Sequence, residues 1–230
     1  MMLGLSIPLY DEADCCEPVI LDLLEALRAE RVGFRLALVD NGSKDETGRI
    51  VTRLGASQPE VLALHLEQNA GYGGGILAGL RRLPTPILGW YWGDGQVDAE
   101  VLVRCWRRLR EEPLDLVKAR RVERQDGRQR ELITGVYRGV MKLGFGVDTM
   151  DVNGCPKLLT RGAYEALDLR SQDWFLDPEC LLKAQELGLA IGEVDAVMRP
   201  RPGGESKVRA ATVTEFLRHL AAWKRGWRPQ

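Results

Sequence analysis

Two oxygen-bearing side chains, Asp94 and Gln96, stand two residues apart in a glycine-containing turn. Oxygen ligands at this spacing suit a hard cation such as Mg²⁺ or Mn²⁺, which takes few protein oxygens and completes its shell with substrate phosphates. A cation held there would neutralise a diphosphate leaving group. The alternative is a solvated turn in which Asp98 caps the next helix, and we favour that alternative for Asp98 but not for Asp94.

Aromatic and acidic side chains follow two other apolar runs. Pro8, Tyr10 and Glu12 come after the first run, where Tyr10 could stack on a base and Glu12 could accept hydrogen bonds from ribose hydroxyls. An ordinary strand-to-helix turn explains these residues equally well. Asp40 ends the second run, where it could read the N–H edge of a nucleobase. A carboxylate at a buried strand end is costly unless it is paired, so Asp40 is the stronger candidate.

Two further segments have the composition of phosphate-binding loops. Asn69–Gly75 places four glycines before a predicted helix, and glycine amides in that position bind anions. Close packing of the helix on the sheet is an equally good explanation. Arg201, Ser206 and Lys207 combine two cations and a hydroxyl in a Pro/Gly-rich loop, which suits a lid over a diphosphate. The alternative for this second segment is a solvated basic loop.

Short apolar runs alternate with amphipathic stretches through the first half of the chain. This alternation predicts an α/β fold with a mostly parallel central sheet and helices on both faces. Such sheets bind ligands at the carboxyl ends of their strands, which is where the candidate residues fall. We expect one domain, 1–230, with a nucleotide-binding half (1–119), an acceptor half (120–211) and a C-terminal amphipathic helix (212–230). The charged stretch from Arg120 to Arg130 predicts a surface loop.

Composition narrows the classes of function. The 230 residues carry a formal net charge of -1, which gives no broad field to attract nucleic acid. Five scattered cysteines fit neither a zinc site nor a disulfide framework, and they favour a reducing, cytoplasmic setting. The longest apolar run is too short to span a bilayer. A lipid substrate would therefore be met at the inner face of the membrane, as a peripheral contact.

These segments, in this order, resemble family 2 glycosyltransferases, and within that family the polyprenyl-phosphate (dolichyl-phosphate) sugar synthases. The resemblance implies a GT-A fold that binds a UDP- or GDP-linked sugar. It also implies Mg²⁺ or Mn²⁺ on Asp94 and Gln96. The residues implied to bind the nucleotide-sugar are Pro8, Tyr10, Glu12, Asp40, Asn69, Gly71, Gly73, Asp94, Arg201, Ser206 and Lys207.

The same resemblance assigns an acceptor side. Arg120, Arg130 and Thr134 match residues that gather the acceptor phosphate in the synthases, and Asp177 matches an acid that contacts the sugar or serves as base. Asp94, Asp177 and Arg130 are therefore the expected catalytic residues. The segment Asp151–Lys157 matches one near the sugar. One departure is clear, because Trp92 stands where the family has the first acid of its D-x-D motif.

The resulting hypothesis is inverting transfer of a sugar to a polyprenyl phosphate at the membrane surface. A hydroxyl acceptor on a glycan or small molecule is the alternative, and Asp177 would then be the required base. A non-catalytic nucleotide-sugar binding protein is less well supported. A nucleotidyltransferase would need a glycine- and Arg/Lys-rich loop where Pro8–Glu12 stands. The apolar face of the last helix, with Trp223, Lys224, Arg225, Trp227 and Arg228, could rest on a membrane or pack on the domain.

Overall fold

A seven-stranded sheet forms the centre of the molecule in the computed structural model, which describes residues 2–124, 139, 141–147, 149, 151–200 and 218–229. The strands are β1 (Met2–Leu9), β2 (Gly33–Asp40), β3 (Val61–His65), β4 (Ile87–Trp90), β5 (Leu116–Arg124), β6 (Lys157–Thr160) and β7 (Ile191–Met198). The strand order is β3-β2-β1-β4-β6-β5-β7. Strand β6 is antiparallel to β4 and β5, and the other pairings are parallel.

Helices cover both faces of this sheet. They are α1 (Cys16–Ala29), α2 (Thr47–Ser57), α3 (Gly71–Leu80), α4 (Ala99–Glu111), α5 (Arg161–Leu167) and α6 (Leu176–Glu186). Residues 141–145 and 218–224 are also helical. Helices α1, α2 and α4 pack in one apolar cluster, whereas α3, α5, α6 and residues 218–224 pack in a second. The predicted α/β architecture, a mostly parallel sheet between two helical layers, is confirmed.

Sequence periodicity accounts for the elements around β1. The alternate residues Leu3, Leu5, Ile7 and Leu9 of β1 are all buried in the cluster that contains α1, and β1 pairs on both sides, as a central strand does. Helix α1 buries Ile20, Leu23, Leu24 and Leu27, which recur at helical spacing. Burying a side chain of this size contributes about 1.5–3 kcal/mol, so this pair of elements anchors the N-terminal part of the sheet.

Three details differ from the sequence-based expectation. Helix α3 begins at Gly71 and not near Gly75, so the glycine-rich segment is itself the first turn of a helix. Strand β5 continues to Arg124, so the first part of the charged stretch is strand and not loop. Strand β6 was not predicted, because it is short and opens with the charged residue Lys157.

The C-terminal segment divides between the core and the surface. Trp223 is buried with Leu220 in the second cluster, and its indole N–H donates to Glu186 at 3.0 Å. Trp227 keeps 39% of its surface exposed. The packing alternative therefore holds for Trp223, and membrane contact stays a prediction for the residues beyond it. Within the part of the chain that the structure describes, no helix is long and apolar enough to cross a membrane.

Candidate functional site

The loops that follow β1 and β2 are joined by reciprocal hydrogen bonds. The Lys44 N–H donates to Asp11 Oδ1 at 2.7 Å, and the Asp11 N–H donates to Ser43 Oγ at 3.1 Å. Thr47 Oγ1 accepts the Glu12 N–H at 2.9 Å in a buried position. We call these two segments, 10–15 and 41–47, the donor rim, after the nucleotide-sugar donor that the sequence predicts there. Their cross-links hold Tyr10 and Glu12 at the carboxyl end of the sheet.

Asp45 serves this rim as a structural acid. Its Oδ2 accepts the Ala13 N–H and its Oδ1 the Thr47 N–H, each at 3.0 Å. Burial acts to raise the pKa of Asp45, but hydrogen bonds from Thr47 and Ala13 outweigh it and lower that pKa. The Asp45 carboxylate therefore joins the loop after β1 to the first residue of α2.

The Asp40 carboxylate is buried and paired within the protein. Its Oδ1 accepts the Ser43 N–H at 3.0 Å, and its Oδ2 lies 3.1 Å from His65 Nδ1. A Cβ on Gly48 would stand 2.7 Å from Oδ2, so α2 approaches this closely only because position 48 is glycine. The pairing expected for an acid at a buried strand end is therefore present.

Glu12 is buried beside a cysteine at the start of α1. Cys15 Sγ lies 3.4 Å from Glu12 Oε2 and 3.9 Å from the Gly93 carbonyl oxygen. Burial, followed by the Glu12 charge, raises the pKa of Cys15 to about 12. This thiol stays protonated at neutral pH, so it packs the rim against the next loop and is not a nucleophile.

The loop after β4 carries the two predicted metal ligands. Asp94 is 6% exposed, and its Oδ1 accepts the Gln96 N–H at 3.1 Å across Gly95, which has a positive φ of 70°. Gln96 and Arg199 exchange two hydrogen bonds, of 2.9 and 3.2 Å. We call residues 92–98 the metal loop, after the cation that the sequence predicts there; these bonds tie the loop to the end of β7, just before the predicted basic loop.

The donor set of this loop fits a hard divalent cation. A carboxylate and a side-chain amide supply two oxygens, the number that Mg²⁺ or Mn²⁺ takes when substrate phosphates supply the others. In the described residues, no three His, Cys, Asp or Glu side chains come together as a metal-binding group. Trp92 offers no ligand atom. Asp94 and Gln96 therefore fit a cation that is shared with a diphosphate, and not a closed site made of protein alone.

The glycine-rich segment at the start of α3 is filled by protein contacts. The Gly71 N–H donates to Asn69 Oδ1 at 2.8 Å, and the Gly74 N–H donates to the Gln172 carbonyl at 2.9 Å. A Cβ on Gly73 would overlap the Ser171 carbonyl oxygen. These contacts favour close packing over phosphate binding for Asn69, Gly71 and Gly73.

A chain of polar contacts leads from the metal loop to α6. The Trp92 indole N–H donates to the Tyr72 hydroxyl at 3.0 Å, and the Tyr72 hydroxyl donates to Asp177 Oδ2 at 3.1 Å. Asp177 Oδ1 lies 2.5 Å from Lys157 Nζ, and these two side chains are 2% and 0% exposed. We call these four residues the Asp177 network. Burial and then the Asp177 charge raise the pKa of Tyr72 well above its ordinary value, so this hydroxyl keeps its proton.

Two aromatic and cationic contacts fix the network from outside. The Trp174 ring stacks on Tyr72, with ring centres 4.4 Å apart and planes 11° from parallel. The Arg121 guanidinium lies 5.9 Å from the centre of the Trp92 ring. Asp151 holds Arg121 through two bonds of 2.6 Å, to Nε and to Nη2. Trp92, the residue that departs from the family motif, is therefore part of a preorganised wall.

The two adjacent arginines of β5 point to different partners. Arg120 pairs with Asp195 on β7 and lines a surface groove with Arg104 and Arg108. Arg121, which the sequence reading passed over, faces Trp92. Side chains alternate across a strand, so only one of the two can face a given side. Arg121 pairs with the buried Asp151, whereas Arg120 pairs with the exposed Asp195, and these different partners distinguish the two arginines.

The structure therefore gathers one set of predicted residues and leaves others apart. Pro8, Tyr10, Glu12, Asp40, Asp94 and Gln96 occupy the carboxyl ends of β1 and β2 and the loop after β4. Asp177 connects to this set through Tyr72 and Trp92, whereas Arg120 lies toward β7. The predicted residues Arg130, Thr134, Arg201, Ser206 and Lys207 lie outside the described residues.

Comparison with known proteins defines the class. The family described as Glycosyl transferase family 2 matches residues 5–166. The chain belongs to the family 2 glycosyltransferases, and the predicted family is confirmed.

Particular relatives refine this class. Glycosyltransferase AglD of Haloferax volcanii is 26% identical over 88% of this chain, which spans only 33% of that protein. Dolichyl-phosphate beta-glucosyltransferase ALG5A of Trichomonas vaginalis is 24% identical over 96% of this chain and 75% of its own length.

A solved structure supports the fold. Glucosyl-3-phosphoglycerate synthase from Mycobacterium tuberculosis, in complex with Mn²⁺, UDP-glucose and phosphoglyceric acid, superposes with a TM-score of 0.76. It is 18% identical and covers 100% of this chain and 81% of its own. The likeness confirms the GT-A fold.

Proposed function

We propose that the chain is an inverting glycosyltransferase that moves a sugar from a UDP- or GDP-linked donor to a polyprenyl phosphate at the membrane surface. Family membership supports the transfer of a sugar from a nucleotide donor. A relative named as a dolichyl-phosphate glucosyltransferase supports the acceptor.

The donor half would bind the nucleotide at the rim and the diphosphate at the metal loop. Tyr10 and Glu12 stand on a cross-linked rim, which suits a base and a ribose that must be held in a fixed orientation. Asp94 and Gln96 would hold Mg²⁺ or Mn²⁺. When bound, such a cation offsets the negative charge of the departing diphosphate. We assign Arg201, Ser206 and Lys207 to the closing loop on their sequence pattern alone.

One observation carries the choice of a phosphate acceptor over a hydroxyl acceptor. Asp177, the acid expected to act as base, is 2% exposed, and its two oxygens are engaged by Lys157 and Tyr72. A hydroxyl nucleophile needs a base to take its proton, whereas a phosphate oxygen is already ionised at neutral pH. A buried carboxylate that is already bonded to two protein donors is poorly placed to take a proton. The site therefore suits an acceptor that is already ionised and only has to be held in position. Arg121 and the predicted Arg130 and Thr134 are candidates for that positioning.

A hydroxyl acceptor is the second candidate. The structural relative is bound to phosphoglyceric acid, a small phosphorylated molecule, and not to a lipid. Asp177 would then have to release Tyr72 or Lys157 in order to act as base. A non-catalytic nucleotide-sugar binding protein is the third candidate, and measured turnover would exclude it.

The deciding experiment measures release of nucleoside diphosphate from UDP- and GDP-sugars in the presence of Mn²⁺. Undecaprenyl phosphate in detergent is compared with undecaprenol, which has the same chain and a hydroxyl in place of the phosphate. We expect stimulation by the phosphate and none by the alcohol. Stimulation by the alcohol or by phosphoglyceric acid alone would refute the proposed acceptor.

The metal assignment has a matched pair of variants. Asp94→Ala removes the carboxylate ligand, and we expect turnover to fall by about 100-fold or more, in line with the loss of a group that stabilises transition-state charge. Asp98→Ala removes an acid of the same loop that pairs instead with Arg199 at 2.7 Å. This control should keep turnover within a few-fold of the wild type. Metal-dependent turnover in Asp94→Ala would contradict the assignment.

Membrane contact is proposed for the exposed end of the chain. Trp227 is exposed beside Lys224 and Arg225, a pairing of aromatic and cationic side chains that suits an anionic bilayer surface. Flotation with liposomes that contain phosphatidylglycerol should recover the protein, and Trp227→Ser should weaken that recovery. No recovery of the wild type would count against this contact.

A further inference from the structure

The Asp177 network has a fixed direction of hydrogen bonding. An indole N–H can only donate, so the Tyr72 oxygen must accept from Trp92. The single hydroxyl proton of Tyr72 is then directed to Asp177 Oδ2. The Lys157 ammonium, which has no acceptor capacity, faces Oδ1 at 2.5 Å. Both oxygens of this carboxylate therefore accept bonds from protein donors.

We propose that Trp92 and Tyr72 keep Asp177 from activating water and so protect the bound donor against hydrolysis. The inference rests on the proposed transfer to an already ionised phosphate, for which a base is not needed. It gives Trp92 a role as a positioning residue that acts on Asp177 through Tyr72. It also names the side reaction that this arrangement prevents.

The side reaction follows from the chemistry of the donor. In hydrolysis, a water oxygen forms the new bond to the anomeric carbon, and the bond to the diphosphate breaks with its electron pair on the departing oxygen. The water proton must pass to a base. A carboxylate with a lone pair open to water would accept that proton, and free sugar would be the wasted product. Asp177 is 2% exposed and Lys157 and Tyr72 occupy its two oxygens, so its remaining lone pairs are shielded from water.

The network also explains the departure from the D-x-D pattern. An ionised acid at position 92 could not donate a hydrogen bond to the Tyr72 oxygen, so nothing from this position would direct the hydroxyl proton to Asp177. Trp92 brings a donor without a charge. Its indole leaves the hydroxyl proton to Asp177, and its ring is held by Arg121 on the other side. Trp92 therefore has two consequences: the loop loses one possible metal ligand, and Tyr72 gains a hydrogen-bond donor.

Three tyrosine and tryptophan variants test the proposal. Tyr72→Phe keeps the ring that stacks on Trp174 but removes the bond to Asp177, and Trp92→Phe removes the donor that orients Tyr72. Tyr91→Phe is the matched control, because the Tyr91 hydroxyl donates to the Val97 carbonyl in the metal loop and not to a member of the Asp177 network. Donor hydrolysis without acceptor and sugar transfer to undecaprenyl phosphate are measured side by side.

We expect Tyr72→Phe to raise the ratio of hydrolysis to transfer about tenfold, the effect of a single hydrogen bond of ordinary strength. Trp92→Phe should raise this ratio in the same direction by a smaller factor. Tyr91→Phe should lower both rates together and leave their ratio unchanged. Adding Asp177→Asn to Tyr72→Phe should return hydrolysis to the wild-type level, because the released base is gone.

The results separate this inference from the proposed function. Unchanged or lower hydrolysis in both Tyr72→Phe and Trp92→Phe, with folded protein confirmed by thermal unfolding, would overturn the inference. An equal rise in Tyr91→Phe would also overturn it, since the effect would then be general loosening of the loop. The hydrolysis assay needs no acceptor. A wild-type preference for a hydroxyl acceptor would therefore refute the proposed function, while the hydrolysis ratios would still decide on the Asp177 network.

Discussion

The donor rim and the wall around Asp177 hold their acidic side chains in different ways. On the rim, Asp11, Asp40 and Asp45 accept bonds mainly from backbone N–H groups at 2.7–3.0 Å. In the wall around Asp177, the buried acids Asp151 and Asp177 pair with the cations Arg121 and Lys157. The first arrangement fixes loop shape, and the second places full charges in a medium of low dielectric constant.

This difference predicts unequal tolerance to mutation. A neutral or half-exposed hydrogen bond contributes about 0.5–1.5 kcal/mol to the free energy of unfolding. Removing one partner of a buried ion pair leaves a charge without compensation and costs about 3–5 kcal/mol. The wall around Asp177 should therefore be sensitive to the loss of a single charge. On the donor rim, each lost hydrogen bond should lower the free energy of unfolding only slightly.

Lys157→Met gives the largest expected effect. It leaves the Asp177 carboxylate buried without its cation, and we expect the free energy of unfolding to fall by about 3–5 kcal/mol in urea denaturation. The double variant Lys157→Met/Asp177→Leu removes both charges and should recover most of that loss. A fall of less than about 1 kcal/mol in Lys157→Met would show that water reaches Asp177 and would erase the contrast with the rim.

Asp151→Asn gives the next largest effect and adds a dependence on pH. Burial acts to raise the pKa of Asp151, but Arg121 outweighs it and lowers that pKa from 3.8 to about 2. A carboxyl whose pKa is lowered on folding stabilises the protein above its unfolded pKa, and that stability is lost as the pH falls through the folded value. At about 1.36 kcal/mol per pKa unit, a shift of this size corresponds to about 2–3 kcal/mol at pH 7.

The measurement compares Asp151→Asn with wild type by urea denaturation from pH 7 down to pH 3. The difference in unfolding free energy should be constant above pH 5 and should shrink as the pH falls below 4. Asp195→Asn is the exposed counterpart, paired with Arg120 at the surface, and it should change little because water and salt screen that pair. A difference that does not vary with pH would remove Asp151 as the titrating group.

The sequence was sufficient for the elements that follow a simple period. The strands β1 to β4 are short apolar runs and helices α1 and α4 are apolar at a spacing of 3.6 residues, and the acids at the strand ends follow from the geometry of parallel sheets. The buried cations Lys118 and Lys157 could not be predicted in this way, because a lysine indicates a surface unless its partner is known. Strand β6 was missed for the same reason.

The site shows the same limit in finer detail. The choice between Arg120 and Arg121 depends on strand register and on Asp151, thirty residues further along the chain from Arg121. The glycines of α3 were consistent with phosphate binding until the backbone of Ser171 and Gln172 was placed against them. Local pattern predicts which segments meet at the sheet edge, but long-range contacts decide what each side chain faces.

Thr47→Val gives the smallest effect and tests the rim itself. Thr47 is fully buried, and its Oγ1 accepts the Glu12 N–H at 2.9 Å. Valine keeps the shape of the side chain but leaves this N–H without a partner, so we expect a loss of about 1–2 kcal/mol in urea denaturation. The Michaelis constant for the nucleotide-sugar should rise as well, because Glu12 would lose the bond that fixes its backbone.

Thr52→Val is the control for this prediction, since it makes the same exchange in the same helix at an exposed position. The Thr52 hydroxyl bonds to the Gly48 carbonyl at 3.0 Å and lies 3.1 Å from His65 Nε2, and both contacts are exposed to water. Stability and the Michaelis constant should both stay close to wild type. If Thr47→Val lowered the free energy of unfolding as much as Lys157→Met, the rim would be as sensitive to mutation as the wall around Asp177. The contrast between backbone hydrogen bonds and buried ion pairs would then explain nothing. A rise in the Michaelis constant with little loss of stability would instead place Glu12 directly on the ribose.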